Sequence, residues 1–172
     1  GALGSIRDMW SPSCFGDPGR VGSGNYHCRD DDNGGVHTNS GVPNHAFALL
    51  MDGGQYNGSE IEAIGATKAA RIYWRAMAVY QTPVTDFPNH ADLLETSCSD
   101  LIGAQLYDVN TGAPSVETIT AADCRQVAIA MDAVEMRLNP DQCRFQPLLD
   151  PDAPPVDGSI VVFDEGFDSE PV

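Results

Sequence analysis

The sequence predicts an all-α domain: a helical bundle with an irregular N-terminal segment and a short C-terminal strand or tail. Three observations carry this. Apolar residues return at helical spacing in four stretches between Val42 and Leu138. Glycine, proline and short polar runs separate those stretches and break helices. The chain has 172 residues and is 42% hydrophobic, enough to enclose one core.

Residues 1–35 read as irregular, because glycine and proline recur too often for a long helix or an alternating strand. A short apolar helix is expected over 42–51, ended by Gly53 and Gly54. Ser59 reads as the next N-cap, with Glu62 three residues on completing a capping box. The helix it opens is expected over 60–80, with Ile61, Ile64, Ile72, Ala76 and Val79 on one face and Thr82-Pro83 as its stop. Pro88 opens the third helix at its first turn, where a missing N–H costs nothing. Ala91, Leu94, Cys98, Leu101 and Ile102 form its buried stripe, and Gly103 ends it. Thr120 caps the fourth helix, whose core face is Val127, Ala130, Met131, Val134 and Leu138, and Pro140 stops it.

The helical domain is placed at 1–149. DPDAPPVDG, residues 150–158, reads as a linker by its proline and charge. SIVVFDEGFDSEPV, residues 159–172, reads as one strand with an acidic end. A lone strand has no partner of its own, so it either docks on the helices or begins a further domain. FDEGFDSEPV resembles the opening of secreted β-sandwich modules that follow bacterial exoenzyme domains.

Nine basic and 25 acidic residues give a net charge of −16. That argues against nucleic acid, whose phosphates need a basic surface. No apolar run reaches membrane-spanning length, so no membrane partner is expected. The five cysteines form no CxxC pair, which argues against a zinc ribbon. Cys14 and Cys28 bracket a glycine-rich loop with little apolar cover, and a local disulfide between them would hold it; the alternative is two free thiols. Cys98 near the end of the third helix and Cys124 near the start of the fourth would meet in antiparallel packing, as a disulfide or as two buried thiols. That leaves Cys143 over. Disulfides imply an oxidising, extracellular compartment.

The chemistry concentrates in DDDNGGVHTNSG. Asp32 precedes His37 by five residues, across a Gly34-Gly35 turn that permits a tight reversal. An Asp folded back onto an imidazole accepts from one ring nitrogen, fixes the tautomer, favours the charged ring and aims the other nitrogen outward. That suits a histidine that donates to developing negative charge. Of the other histidines, His27 reads as a surface residue beside a disulfide, and His45 and His90 as solvated positions at helix starts. Calcium is a further candidate cation for the acidic surface. The EF-hand spacing fails, however, with Gly34 where a third ligand should stand and Gly41 where the closing Glu should.

DNGGVHTNSGVPNHAFALL, with GSIRDMWSP upstream and YNG, IGATKAARIYWRA and YQTPVTDF downstream, resembles the C-terminal helical domain of thermolysin-like zinc endopeptidases, from Ser5 to Met136. The resemblance implies that His37 hydrogen-bonds the oxyanion formed during peptide hydrolysis and that Asp32 orients it. It implies that Arg7 binds the substrate carbonyl just beyond the scissile bond, that Ile6 lines an apolar S1′ pocket, and that Asn33 supports the turn. Family members bind zinc through an HExxH helix and a later glutamate, and none of the four histidines here has another four residues away. The zinc ligands and the general base are therefore expected on an N-terminal lobe lying before Gly1, and this chain alone is expected to bind no catalytic zinc and to cleave nothing. The expected function is the C-terminal lobe of a secreted neutral endopeptidase acting on peptides or proteins. The alternative is a degenerate domain that binds peptides or anchors neighbours without catalysis.

Overall fold

The computed structural model describes residues 5–145. A 3-10 turn, Pro12–Phe15, is followed by α1 (Asp31–Asn39) and α2 (Gly41–Asp52). A hairpin comes next, β1 (Gly54–Tyr56) and β2 (Ser59–Ile61). Then α3 (Ala66–Arg75) runs into a wider π turn, Ala76–Tyr80, and α4 (Phe87–Asp100), α5 (Ala121–Ala133) and a 3-10 turn, Asp141–Cys143, complete the order. The linker and acidic strand read from the sequence at 150–158 and 159–172 lie outside the described residues.

The architecture is mostly α, as expected. Helices α2, α3, α4 and α5 pack in a ring, each against the next, with α5 closing back onto α2. Leu49, Leu50, Ile72, Leu94, Ile119, Met131 and Met136 are almost wholly buried where they meet. Such close packing makes every buried side chain matter. The ends of α4 and α5 are joined by the Cys98–Cys124 disulfide, one of the two pairings expected.

Two helix starts behave as read. Asp86 caps α4 by accepting from the Asn89 N–H at 2.9 Å, and Pro88 sits in the first turn. Thr120 and Asp123 form a reciprocal capping box on α5: the Thr120 hydroxyl accepts from the Asp123 N–H, and the Asp123 carboxylate accepts from the Thr120 N–H at 2.7 Å. Lys68 from α3 donates to both oxygens of that carboxylate at 3.0 and 3.1 Å, so the cap also ties two helices together. Burial pushes the Asp123 carboxyl up, but the Thr120 and Lys68 donors outweigh it and hold it below the usual range.

Four expectations are corrected. Ser59 caps no helix: it pairs with Tyr56 in the hairpin, whose Asn57-Gly58 turn takes φ 49° and 81°. Asn-Gly with both φ positive is the type I′ turn that joins two short strands. The helix therefore starts only at Ala66, after Gly65. Val79, expected on its buried face, is 56% exposed, because the π turn adds a residue and rotates the face. α4 ends at Asp100, so Ile102 leaves the stripe, bridges to Ile119 and is 48% exposed. α5 ends at Ala133 and Glu135 turns left-handed at φ 58°, which puts Leu138 on the surface.

The expected Cys14–Cys28 disulfide is also overturned. Cys28 bonds Cys143, 115 residues away, and Cys14 is an exposed free thiol on the first 3-10 turn. The glycine-rich loop is held by the far end of the domain instead of by itself. The Val21 N–H donates to the Val134 carbonyl at 3.1 Å, Arg20 pairs with Glu135 at 2.5 Å, the Gly22 N–H donates to the same carboxylate at 2.7 Å, and Gln142 donates to the Val21 carbonyl at 2.7 Å. The thiol that the sequence leaves over is the one that closes this seam.

In the chain-entropy view a disulfide closing so long a loop stabilises by about 4–5 kcal/mol. Cys143→Ser should therefore lower the melting temperature by many degrees, whereas Cys14→Ser should leave it nearly unchanged. Thermal melts of the two variants under non-reducing conditions decide this; a loss on Cys14→Ser with none on Cys143→Ser would restore the local pairing.

Candidate catalytic turn at Asp32–His37

Helix α1 begins with an inversion of hand. Asp32 (φ 55°, ψ 33°), Asn33 (49°, 45°), Gly34 (78°, 24°) and Gly35 (82°, 24°) are consecutive left-handed residues, and right-handed helix resumes after them. L-residues resist this conformation, at about 1–2 kcal/mol each, because Cβ crowds the following carbonyl. Asp and Asn tolerate it best, and glycine has no Cβ to crowd. The DNGG string is thus suited to one reversed turn.

The reversal folds the Asp32 carboxylate back over the chain that follows. One oxygen accepts from His37 Nδ1–H. The other accepts from the backbone N–H groups of His37 at 3.1 Å and Thr38 at 3.3 Å. Those N–H groups belong to the renewed right-handed turn, so a single carboxylate both satisfies a helix start and orients an imidazole. The Asp32 carboxyl is held below its ordinary value of 3.8, chiefly by the His37 ring, against a smaller upward push from desolvation and with help from the two backbone donors.

With Nδ1 engaged, Nε2 of His37 has no partner among the described residues. The His37 side chain is 71% exposed while that of Asp32 is only 26% exposed. The pair thus presents an oriented ring on a shielded carboxylate, open to whatever approaches.

Of the residues singled out in the sequence, the structure joins Asp32 and His37 as expected. Asn33 contributes its left-handed backbone, and its exposed side chain makes no hydrogen bond among the described residues. Ile6 and Arg7 lie on a separate segment that precedes a turn closed by Asp8, whose carboxylate accepts from the Trp10 and Ser11 N–H groups at 2.9 and 2.8 Å. Ile6 is 85% exposed. Arg7 is half-buried, and among the described residues its guanidinium makes no hydrogen bond or ion pair.

The readings of two other histidines are corrected. His45 is buried, its Nδ1–H donates to the Gly19 carbonyl at 3.1 Å and its ring meets Tyr56 edge-on; burial pushes its pKa down. His90 is half-buried against Tyr73 and bonded to Gln81, and it too is pushed down by burial. His27 does lie beside a disulfide, but its ring is largely covered and bonds Asp31 at 2.7 Å. Sequence reading missed one further residue, Asn39, which is buried behind the turn. An amide in NSG, flanked by small residues and set two positions after the histidine, was its only signal. Among the described residues no three His, Cys, Asp or Glu side chains converge as a metal centre requires, so these residues do not by themselves fit a zinc ion.

Residues 2–119 match the family described as thermolysin metallopeptidase, alpha-helical domain, and the chain belongs to that family. It is 37% identical over 105 residues to a bacillolysin of Brevibacillus brevis, covering 61% of this chain and 20% of that protein. It is 36% identical over 107 residues to the thermostable neutral protease NprT of Geobacillus stearothermophilus, 62% of this chain and 19% of that one. With a zinc metalloproteinase of Renibacterium salmoninarum it shares 33% identity over 142 residues, 79% of this chain and 24% of that protein. The chain thus spans about a fifth to a quarter of the length of the curated relatives it matches.

Asp32 sets a pH dependence. Its folded pKa lies below the ordinary value, so the stability it lends is complete above pH 3.8 and is lost as pH falls through the lower folded value. Asp32→Asn should remove that part of the acid response, so that melting temperature falls less steeply below pH 3.8 than in the parent. Parallel slopes in the two proteins would show that Asp32 is not held by the turn.

Proposed function

We propose that this chain is the C-terminal lobe of a secreted, zinc-dependent neutral endopeptidase and supplies one wall of its cleft. The observation that carries the reading is the Asp32–His37 pair, fixed by a left-handed turn with Nε2 turned to solvent. Family membership supports peptide-bond hydrolysis as the reaction class. The two disulfides support an oxidising, extracellular setting, and among the described residues no helix is long and apolar enough to cross a membrane.

In the proposed roles, His37 donates from Nε2 to the oxygen that gains charge when the scissile carbonyl turns tetrahedral. Asp32 holds the ring for that purpose and stabilises it when charged. Preorganised donors of this kind act because they need not reorient as charge develops. Arg7 has a permanently charged, multi-donor head with no partner among the described residues, and that head binds the substrate carbonyl beyond the scissile bond. Ile6 gives the neighbouring subsite an apolar wall, which suits a hydrophobic residue after the cut. Asn33 serves the turn through its backbone. Zinc, in an enzyme of this family, polarises the carbonyl and activates the water. Its ligands and the general base belong to the N-terminal zinc-binding lobe, the proposed partner of this one. Peptides and proteins are the proposed substrates.

In the full-length enzyme, His37→Ala should lower kcat by about 10²–10³-fold with little change in KM, as expected for one lost oxyanion donor. Unchanged turnover on a peptide substrate would remove His37 from the mechanism and favour a lobe that only binds. Arg7→Ala should instead raise KM more than it lowers kcat, because it removes ground-state contact; steady-state kinetics on the same peptide separates the two effects.

A further inference from the structure

Asn39 is 5% exposed and makes a two-point contact with a single residue of a distant segment. Its Oδ1 accepts from the His27 N–H at 2.8 Å, and its Nδ2 donates to the His27 carbonyl at 3.0 Å. A side-chain amide is the one neutral group that can satisfy both halves of a backbone unit in this way. Gly35 lies against the same spot. A Cβ built there would stand 2.7 Å from Asn39 Nδ2 and 2.8 Å from the His27 Cβ. The Asn39 amide and His27 thus form a floor under the second half of the left-handed turn. Asp32 lies three residues before Gly35 and His37 two residues after it.

The floor is itself anchored. Cys28, next to His27, is bonded to Cys143, and His27 Nε2 bonds Asp31 at 2.7 Å, on the residue that leads into the turn. A side chain chosen only to fill space would not need this polarity. A leucine would strand both His27 groups. An aspartate would keep the acceptor but set a carboxylate against the His27 carbonyl. A buried group left unpaired in this way bears its full desolvation penalty.

We propose that Asn39 is a positioning residue: by pinning the His27 main chain beneath Gly35, it holds the left-handed turn in the shape that seats the Asp32 carboxylate on His37 Nδ1 and leaves Nε2 outward. Its value to the enzyme rests on the reading of His37 given above, but the positioning itself does not. The effect reaches the reacting atoms only through the ring. It therefore appears first in the ring's tautomer and only second in turnover.

The test reads the ring directly. In the ¹⁵N-labelled chain at about pH 9, above the ordinary histidine range, the ring shifts of His37 report which nitrogen carries the proton. The parent should show the Nδ1–H form. Asn39→Ala should shift the population toward Nε2–H, as should Asp32→Asn, while the resonances of the core around Cys98–Cys124 stay in place. Should Asn39→Ala fail to fold, Asn39→Asp has the same size and shape and carries the same expectation. A folded variant that keeps the Nδ1–H form overturns the proposal. In the full-length enzyme Asn39→Ala should lower kcat about 10–100-fold, the usual cost of a misplaced group, and should add little on top of His37→Ala. A tautomer shift with turnover insensitive to His37→Ala would uphold the positioning and sink the catalytic reading. An unchanged tautomer with turnover lost on His37→Ala would do the reverse.

Discussion

Four residues in a row with positive φ are the constraint on which the site depends. The reversal at Asp32–Gly35 turns the chain back on itself within one turn and brings a carboxylate over the N–H groups and the imidazole that follow. Without it Asp32 would point along a right-handed helix, away from a ring five residues on. The turn also sets the start of the right-handed segment that leads through Ser40 into α2, so the site and the core are launched from the same place. Gly34 is free of neighbours, and its glycine answers only to backbone conformation. Gly35 answers to conformation and to the closeness of Asn39 and His27.

The rest of the domain supplies a rigid base. The ring of α2 to α5 buries a continuous core, and its ends are fastened by a cap that doubles as an ion pair and by Cys98–Cys124. On the other side, Glu135 ties two segments to its own. It accepts from Arg20 and Gly22 of the glycine-rich loop and from Asn57 of the hairpin turn. Burial pushes its carboxyl up, yet these donors hold it below the usual range, so the carboxylate stays charged and the seam stays closed. The same seam carries Cys28–Cys143.

The bundle was legible in the sequence because its signals are local. Proline at the first turn of α4, the Thr120 cap and the stop at Gly53 each act within a few residues of themselves, and each stands where it was read. The errors have a shared cause. Ser59 satisfies the pattern of a capping box, but Asn57-Gly58 forms a type I′ turn first and takes Ser59 into a strand. Val79, Ile102 and Leu138 keep helical spacing on paper, but a π turn and two early helix ends move them out of register. Periodicity reports where an apolar face would lie if the helix continued, and whether it continues is decided by packing.

The sequence by itself determined the fold class, the family and the Asp32–His37 pairing, because these rest on spacings of a few residues and on glycines with one reason to be there. Tertiary structure alone decided that Cys28 joins Cys143, that His45 is buried and that Asn39 reaches His27. Each of those depends on which surfaces meet once the core has closed. A contact across 115 residues leaves no trace in the neighbourhood of either partner, whereas a carboxylate and a ring five residues apart carry their geometry with them.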